Sequence, residues 1–182
     1  EGAKKLLEES GWKDTDGDGC ADKDGQKLTI DWLTYPTRLE QPKLAEYAQA
    51  TLKEIGIDVV VNNTSDHMTY AADGNFDVYV SSTTTAPTGD PEYFFTSTVV
   101  GPKNYGKYEN KEVTALTEKL HQAFEPEERA KLATELQQKI LDDDGFFFVS
   151  HLNMGIVTKS NVKGMAAHPC DYYEITADLD VE

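Results

Sequence analysis

The sequence has 182 residues, of which 38% are hydrophobic and 27% are charged, as is usual for one globular domain with a sizeable core. Its 33 acidic residues outnumber its 17 basic ones and give a formal net charge of −16 at pH 7. This charge excludes a nucleic-acid or anionic-membrane partner, because both need a cationic surface, and it favours cationic ligands such as peptide amines or metal ions.

The first half of the chain alternates between helical and extended patterns. Residues 3–9 predict a helix, and an Asp/Gly/Lys loop over residues 13–27 separates it from a strand at residues 28–34. Pro42 suits the first turn of a second helix, and Gly56 ends that helix. The order of these segments predicts an α/β fold.

A strand–helix–strand unit follows. Residues 57–61 and 76–80 are short β-branched runs, and between them lies a short helix closed by Gly74. Parallel sheets built from such units bind ligands beyond the carboxyl ends of their strands. Residues 81–110 form a long loop in which Asp90-Pro91 begins a short helix. The unit favours a binding cleft over a catalytic centre.

The second half of the chain predicts two helices and two late strands. Asn110 caps the first helix, and Pro126 begins the second. The expected core face of the first helix consists of Val113, Leu116, Leu120 and Phe124. Residues 146–152 and 155–158 have the composition of strands.

Reactive motifs are absent from the sequence. It contains no Gly-x-Ser-x-Gly nucleophile elbow, no phosphate-binding Gly-Lys-Ser/Thr loop and no Gly-x-Gly-x-x-Gly fingerprint. With 33 acidic residues, carboxylate pairs arise by chance and give no support to a glycosidase. We therefore expect a protein that is not an enzyme.

Several segments together resemble one family. Residues 3–12, 52–59, 75–77 and 161–164, with Asp90-Pro91 in order between them, are similar to the family-5 solute-binding proteins, the extracytoplasmic receptors of peptide and nickel ABC importers. The resemblance implies an α/β, periplasmic-binding-protein-like (type II) lobe with a mixed central sheet flanked by helices. It also implies non-covalent capture of a peptide or related small polar solute between two lobes.

The resemblance sets further expectations. Residues 1–182 would form a single C-terminal lobe. The N-terminal lobe would be absent, because the chain begins without Met inside a helical pattern. The partners would be the ligand, that missing lobe of the same chain and an ABC permease in the membrane. The protein would be extracytoplasmic, either in the periplasm or lipid-anchored at the outer face of the cell membrane.

The ligand loop departs from the family pattern. Thr84 and Pro87 stand where peptide-binding members of the family place a Trp and an Asp. Ala86-Pro87 matches the nickel-type members, but threonines replace the aromatic residues expected around it. The ligand therefore stays open between a peptide or related solute and, as the alternative, nickel or a metal chelate.

The candidate ligand-binding residues follow from the predicted strand ends. A row of hydroxyl groups at a strand end offers uncharged donors and acceptors to a polar ligand. An ordinary surface run of threonines is the equally open alternative, and for Arg38 the alternative is a solvated loop cation. The candidates are Tyr35, Arg38, Thr84, Thr85, Thr88, Asp90 and Asn153.

Metal sites form a second group of predictions. Asp14, Asp16, Asp18 and Asp22 match the start of a calcium loop, although Gly25 occupies the place of the bidentate Glu. A polar hairpin loop is the favoured interpretation, and a calcium-stabilised interaction module is the competing function. No cofactor is otherwise required.

The two cysteines leave their pairing open. Cys20 and Cys170 are too few for a disulfide framework. Cys170 and His168, with His151 and Met154, offer soft-metal ligands. Residues 151 and 154 would face opposite sides of a single strand, which disfavours such a site.

Overall fold

The computed structural model describes residues 1–83, 86, 88–153, 155–167 and 175–182. The chain forms two compact units, Glu1–Ser82 and Thr83–Glu182, and each has its own core. The prediction that residues 1–182 build a single lobe stays a prediction.

A three-stranded parallel sheet forms the centre of the first unit. Its strands are β3 (Thr29–Thr34), β4 (Asp58–Asn63) and β5 (Val78–Tyr79), in the order β4–β3–β5. The crossovers are α2 (Glu40–Lys53) and α3 (His67–Asp73), and α1 (Gly2–Glu9) precedes them. Residues buried in this unit include Leu33, Ala45, Val59 and Ala71. These elements confirm the predicted α/β class.

Gly56 is required where α2 turns into β4. Its φ of 85° lies in the left-handed region. Its carbonyl accepts a hydrogen bond from the Ala21 amide at 2.7 Å, and a Cβ at this position would lie 3.1 Å from the same nitrogen. This backbone contact ties the early loop to the end of α2.

The Asp/Gly/Lys loop contains a small hairpin. Strand β1 (Asp22–Lys23) pairs antiparallel with β2 (Gln26–Lys27). Asp24 and Gly25 connect them with φ of 54° and 77°, the two positive values of a type I′ turn. The loop thus contains a hairpin at residues 22–27, and the choice between a plain polar loop and a calcium site at the preceding aspartates is not tested by it.

Helices dominate the second unit. The short helix α4 (Glu92–Phe94) runs into a π-helical turn (Phe95–Val99), and α5 (Lys111–Gln122) and α6 (Pro126–Asp142) follow. The side chain of Asn110 caps α5 by accepting the amides of Glu112 and Val113 at 2.9 and 3.2 Å. A short antiparallel pair, β6 (Val162–Lys163) and β7 (Asp180–Val181), lies near the end of the chain. The buried cluster is Phe95, Val99, Val113, Leu116, Leu120, Ala133, Leu136 and Ile140.

Two expectations for this unit are wrong. Phe124 is 87% exposed rather than part of the core, because α5 ends at Gln122 and Ala123 is extended with ψ of 134°, so the helical phase is lost. Among the described residues, 146–152 and 155–158 form no strands. A strand requires a hydrogen-bonded neighbour, and composition alone does not supply one.

Candidate functional site

The carboxyl ends of the three parallel strands meet at one edge of the sheet in the first unit. Strand β3 is central, so its last residue, Thr34, lies between the ends of β4 and β5. Tyr35 follows directly, and α2 starts five residues later. Ligands of parallel α/β sheets usually bind at this edge.

Buried polar atoms without partners mark this edge. Thr34 is 0% exposed and Gln41, in the first turn of α2, is 3% exposed. Within the described part of the chain, the Thr34 hydroxyl and the Gln41 side-chain oxygen have no hydrogen-bond partner, and neither does one carboxylate oxygen of Glu40. An unsatisfied buried polar group costs about 1–3 kcal/mol. These atoms are buried polar groups near this edge for which the described fold supplies no hydrogen-bond partner.

An aromatic cluster lies at the same edge. The ring of Tyr35 stacks on His67 with centroids 4.0 Å apart and planes inclined by 17°. Nδ1 of His67 lies 2.7 Å from the hydroxyl of Tyr79, and the Ser82 amide donates to the Tyr35 hydroxyl at 3.3 Å. Burial lowers the pKa of His67, against an opposing contribution from Asp66, so the neutral imidazole is favoured.

His67 and Tyr79 were not predicted as site residues. The available signal was positional: His67 begins the helix that follows β4, and Tyr79 ends β5. The predicted residue Tyr35 does lie at this edge, but it is only 7% exposed, so its ring is largely enclosed by the cluster. Arg38 is exposed in the turn before α2, and its carbonyl accepts the Gln41 amide at 3.1 Å.

Thr88, Asp90 and Asn153 lie in the second unit. Thr84 and Thr85 lie outside the described residues. Thr88 and Asn153 are exposed. The predicted contact of these residues, and of Tyr35 and Arg38, with a ligand stays a prediction.

Asp90 is held by an internal ion pair. Both of its carboxylate oxygens accept from the Arg129 guanidinium, at 2.8 and 2.7 Å, and one also accepts the Glu92 amide at 2.8 Å. Burial raises the pKa of Asp90, but the Glu92 amide and Arg129 outweigh this effect and bring the pKa below its usual value. The Asp90 carboxylate is therefore ionised, and it holds the Glu92 amide at the first residue of α4.

The aspartate loop brings three of its four predicted metal ligands together. Carboxylate oxygens of Asp14, Asp16 and Asp18 lie within 4.8 Å of one another and are exposed. Asp22 instead accepts the amide and hydroxyl of Thr15 at 2.8 and 2.6 Å, and these bonds lower its pKa. Lys27 forms an ion pair with Asp18. The calcium site stays a prediction.

The soft-metal prediction and the cysteine pairing fall on parts of the chain that are not described. His151 is exposed, whereas Met154, His168 and Cys170 lie outside the described residues. Cys20 is half-buried, and its thiol lies 3.6 Å from the carbonyl of Leu28. Neither prediction is tested.

The family of the chain follows from comparison with known protein families. Residues 1–106 match the middle region of the bacterial extracellular solute-binding proteins, family 5. The chain belongs to this family. The matched range includes the parallel sheet, its carboxyl edge and Asp90.

Two relatives illustrate the family. The oligopeptide-binding protein AppA of Bacillus subtilis is 29% identical over 179 residues, which cover 95% of this chain and 33% of AppA. The structure of AppA with a nonapeptide matches with a TM-score of 0.67 over 79% of this chain and 30% of that chain. The nickel-binding protein NikA of Staphylococcus aureus is 26% identical over 158 residues, 85% of this chain and 32% of NikA.

The structural likeness to NikA extends over nearly the whole chain. The structure of Staphylococcus aureus NikA with Ni(L-His)2 matches at 24% identity with a TM-score of 0.73, over 99% of this chain and 37% of that chain. The predicted type II periplasmic-binding-protein fold is confirmed. The chain spans about a third of the length of the relatives it matches. None of the described helices combines the length and apolar character needed to cross a membrane.

Proposed function

We propose that the natural protein is the substrate-binding component of an ABC importer and that the carboxyl edge of β3 is part of its ligand-binding wall. Membership of family 5 supports the class of function. The observation that carries the location is a pair of buried polar atoms, the Thr34 hydroxyl and the Gln41 side-chain oxygen, which have no hydrogen-bond partner among the described residues. A bound solute would supply the hydrogen bonds that these side chains lack within the described fold.

The ligand in this proposal is a peptide or a related small polar solute. The relative AppA is an oligopeptide-binding protein, and its structure holds a nonapeptide. The net charge of −16 attracts a peptide amine. The alternative is nickel or a metal chelate, which is supported by the likeness to the nickel-binding protein NikA.

The proposed mechanism needs no covalent step. The solute enters between this lobe and an N-terminal lobe of the same natural protein, a hinge closes, and the closed form is presented to the permease. The protein would act outside the cytoplasm, in the periplasm or anchored at the outer face of the cell membrane, as its family description supports. We propose no enzymatic activity for it.

The test combines ligand identification with one substitution. The natural full-length protein is analysed by native mass spectrometry for a co-purifying solute. Calorimetric titration then measures its affinity for a nonapeptide and for Ni(II) with L-histidine. Thr34→Val should weaken binding of the true ligand class about tenfold, because loss of one buried hydrogen bond of roughly 1.4 kcal/mol changes affinity by that factor.

Two results would count against the proposal. If neither probe binds and no solute co-purifies, the protein is not a receptor for the proposed classes of solute. If a probe binds equally well to the wild type and to Thr34→Val, the carboxyl edge of β3 is not part of the binding wall. Nonapeptide binding without Ni(II)–histidine binding selects the peptide, and the reverse selects the metal chelate.

A further inference from the structure

An apolar segment of the second unit, residues 146–152, follows α6 and lies at the surface. It contains three phenylalanines, one valine and one leucine. Phe147 is 89% exposed, and the exposed fractions of Phe148, Val149 and Leu152 are 48%, 45% and 50%. Single exposed apolar residues are common in proteins, but a contiguous exposed apolar patch usually marks an interaction surface. The apolar segment therefore needs a covering partner.

The backbone of the apolar segment also lacks partners. Among the described residues, no amide or carbonyl of residues 146–152 takes part in a backbone hydrogen bond. A row of unpaired peptide groups beside apolar side chains is a template for pairing with a further strand. Peptide groups need hydrogen-bond partners once the side chains around them are buried. The covering partner must therefore bring backbone hydrogen bonds as well as apolar contacts.

The ring contacts of the apolar segment alternate as they do in a strand. The rings of Phe146 and Phe148 stack with centroids 6.4 Å apart and planes inclined by 22°. Both rings also contact Phe94, with centroids 5.9 and 5.8 Å from its own. Phe147 lies between them in the chain and is directed into solvent. In a strand, residues i and i+2 share one face and residue i+1 lies on the other. One face of the segment thus packs on the helical unit, and the opposite face is open.

The start of the apolar segment is fixed by close packing. Gly145 passes so near to Tyr108 that a Cβ at this position would clash with the Tyr108 ring. The same ring contacts Phe146 with centroids 5.7 Å apart. Because the entry into the segment and its inner face are already held, less conformational freedom is lost when a partner strand pairs with it. The segment is therefore arranged in advance for strand pairing.

The length of the relatives points to the source of the partner. This chain matches 33% of AppA and 32% of NikA, so about two thirds of each relative lies outside the matched region. We propose that residues 146–152 form a β-strand in the natural protein, which pairs with an edge strand from the part of the same polypeptide outside these 182 residues. Apolar side chains of that part would bury Phe147 and Val149.

Charge and linkage favour a partner in the same polypeptide over a second copy. A second copy of this chain would bring the same formal charge of −16, which opposes association. A strand in the same polypeptide is present at an effective concentration on the order of millimolar. The inference shares with the proposed function only the longer natural chain, and it requires no solute.

The first experiment needs neither a ligand nor a variant. Amide hydrogen exchange of residues 147–152 is measured on the full-length natural protein after unfolding, dialysis and refolding have removed any bound solute. We expect these amides to exchange at least about 100-fold more slowly than those of an unstructured peptide, because the strand pairing must open first.

Three results of this experiment would overturn the proposal. The first is exchange at the rate of an unstructured peptide. The second is protection that appears only when the nonapeptide or Ni(II) with L-histidine is added, because the segment would then belong to the solute site. The third is protection that disappears when an oligomer is diluted to the monomer, because a second copy would then be the partner. A protein that binds neither probe can still show the protected segment, so this test is separate from that of the proposed function.

The second experiment compares two phenylalanines that are equally exposed in this structure. Phe147 is 89% exposed and Phe124, between α5 and α6, is 87% exposed. Urea unfolding of the full-length natural protein is measured for Phe147→Ser and for the control Phe124→Ser. Phe147→Ser should lower the ratio of folded to unfolded protein about 100-fold or more, because a buried aromatic ring is lost. Phe124→Ser should change it less than about threefold, as is usual for surface substitutions. A loss in Phe147→Ser no larger than that in Phe124→Ser would overturn the proposal.

Discussion

Thr34→Val tests the interpretation of the carboxyl edge of β3 through protein stability. Thr34 is 0% exposed, and its hydroxyl lacks a hydrogen-bond partner within the described residues. Burying such a hydroxyl costs about 1–3 kcal/mol, and valine has nearly the same shape without that cost. Valine also suits a strand. The free energy of unfolding of the ligand-free protein should therefore rise by about 1 kcal/mol or more.

Thr117→Val provides the matched control. Thr117 is also buried, at 3% exposure, but its hydroxyl donates to the Val113 carbonyl at 2.8 Å. The same change should lower the free energy of unfolding by about 0.5–1.5 kcal/mol, because a satisfied hydrogen bond is lost. Both variants are measured by urea unfolding at constant m value. If Thr34→Val is destabilised as much as Thr117→Val, the Thr34 hydroxyl is already satisfied and the argument for this edge fails.

Three further predictions concern the cap of α5, the ion pairs of Arg129 with Asp90 and Glu92, and the aspartate loop. Asn110→Ala should lower the free energy of unfolding by about 1 kcal/mol through loss of the α5 cap, as urea unfolding would measure; no change would mean that the cap contributes nothing. The pKa values of Asp90 and Glu92 are lower in the folded state than their ordinary values of 3.8 and 4.5. The two carboxylates therefore stabilise the fold at pH values above 3.8 and 4.5, and this contribution is lost as the pH falls through their lower folded-state pKa values. Acid titration of Arg129→Met should show a shallower loss of stability over this range than the wild type, and identical slopes would contradict the pairing. Finally, millimolar calcium or a chelator should leave the melting temperature nearly unchanged, because Lys27 already pairs with Asp18; a clear rise with calcium would favour a calcium-stabilised module.

Local sequence signals predicted the elements that depend on local chemistry. Asn110 caps a helix because its side chain bonds amides two and three residues away, and Pro126 begins α6 because its missing amide is not needed there. The alternating and β-branched runs located β3 and β4 to within about two residues. Such features are fixed by neighbours in the chain, so the sequence alone reveals them.

Features that depend on distant partners were not predictable in the same way. Phe124 continues the apolar spacing of α5, yet it is exposed because the helix stops two residues earlier. Asp90 and Arg129 are 39 residues apart in the chain, and no local sequence pattern indicates that they form an ion pair. The cluster of Tyr35, His67 and Tyr79 forms only because three strand ends meet at one edge.

The central claim is that this chain supplies one wall of a two-lobe trap that holds a solute without changing it. The most direct measurement compares the affinity of the full-length natural protein with that of the 182-residue chain for the same co-purifying solute, and analyses the solute recovered afterwards. We predict tight binding by the full-length protein and recovery of an unaltered solute. Binding by the chain alone should be at least about 100-fold weaker, because the proposed mechanism assigns about half of the burial surface to an N-terminal lobe. Equal affinity of the two proteins, or a chemically converted solute, would contradict the account.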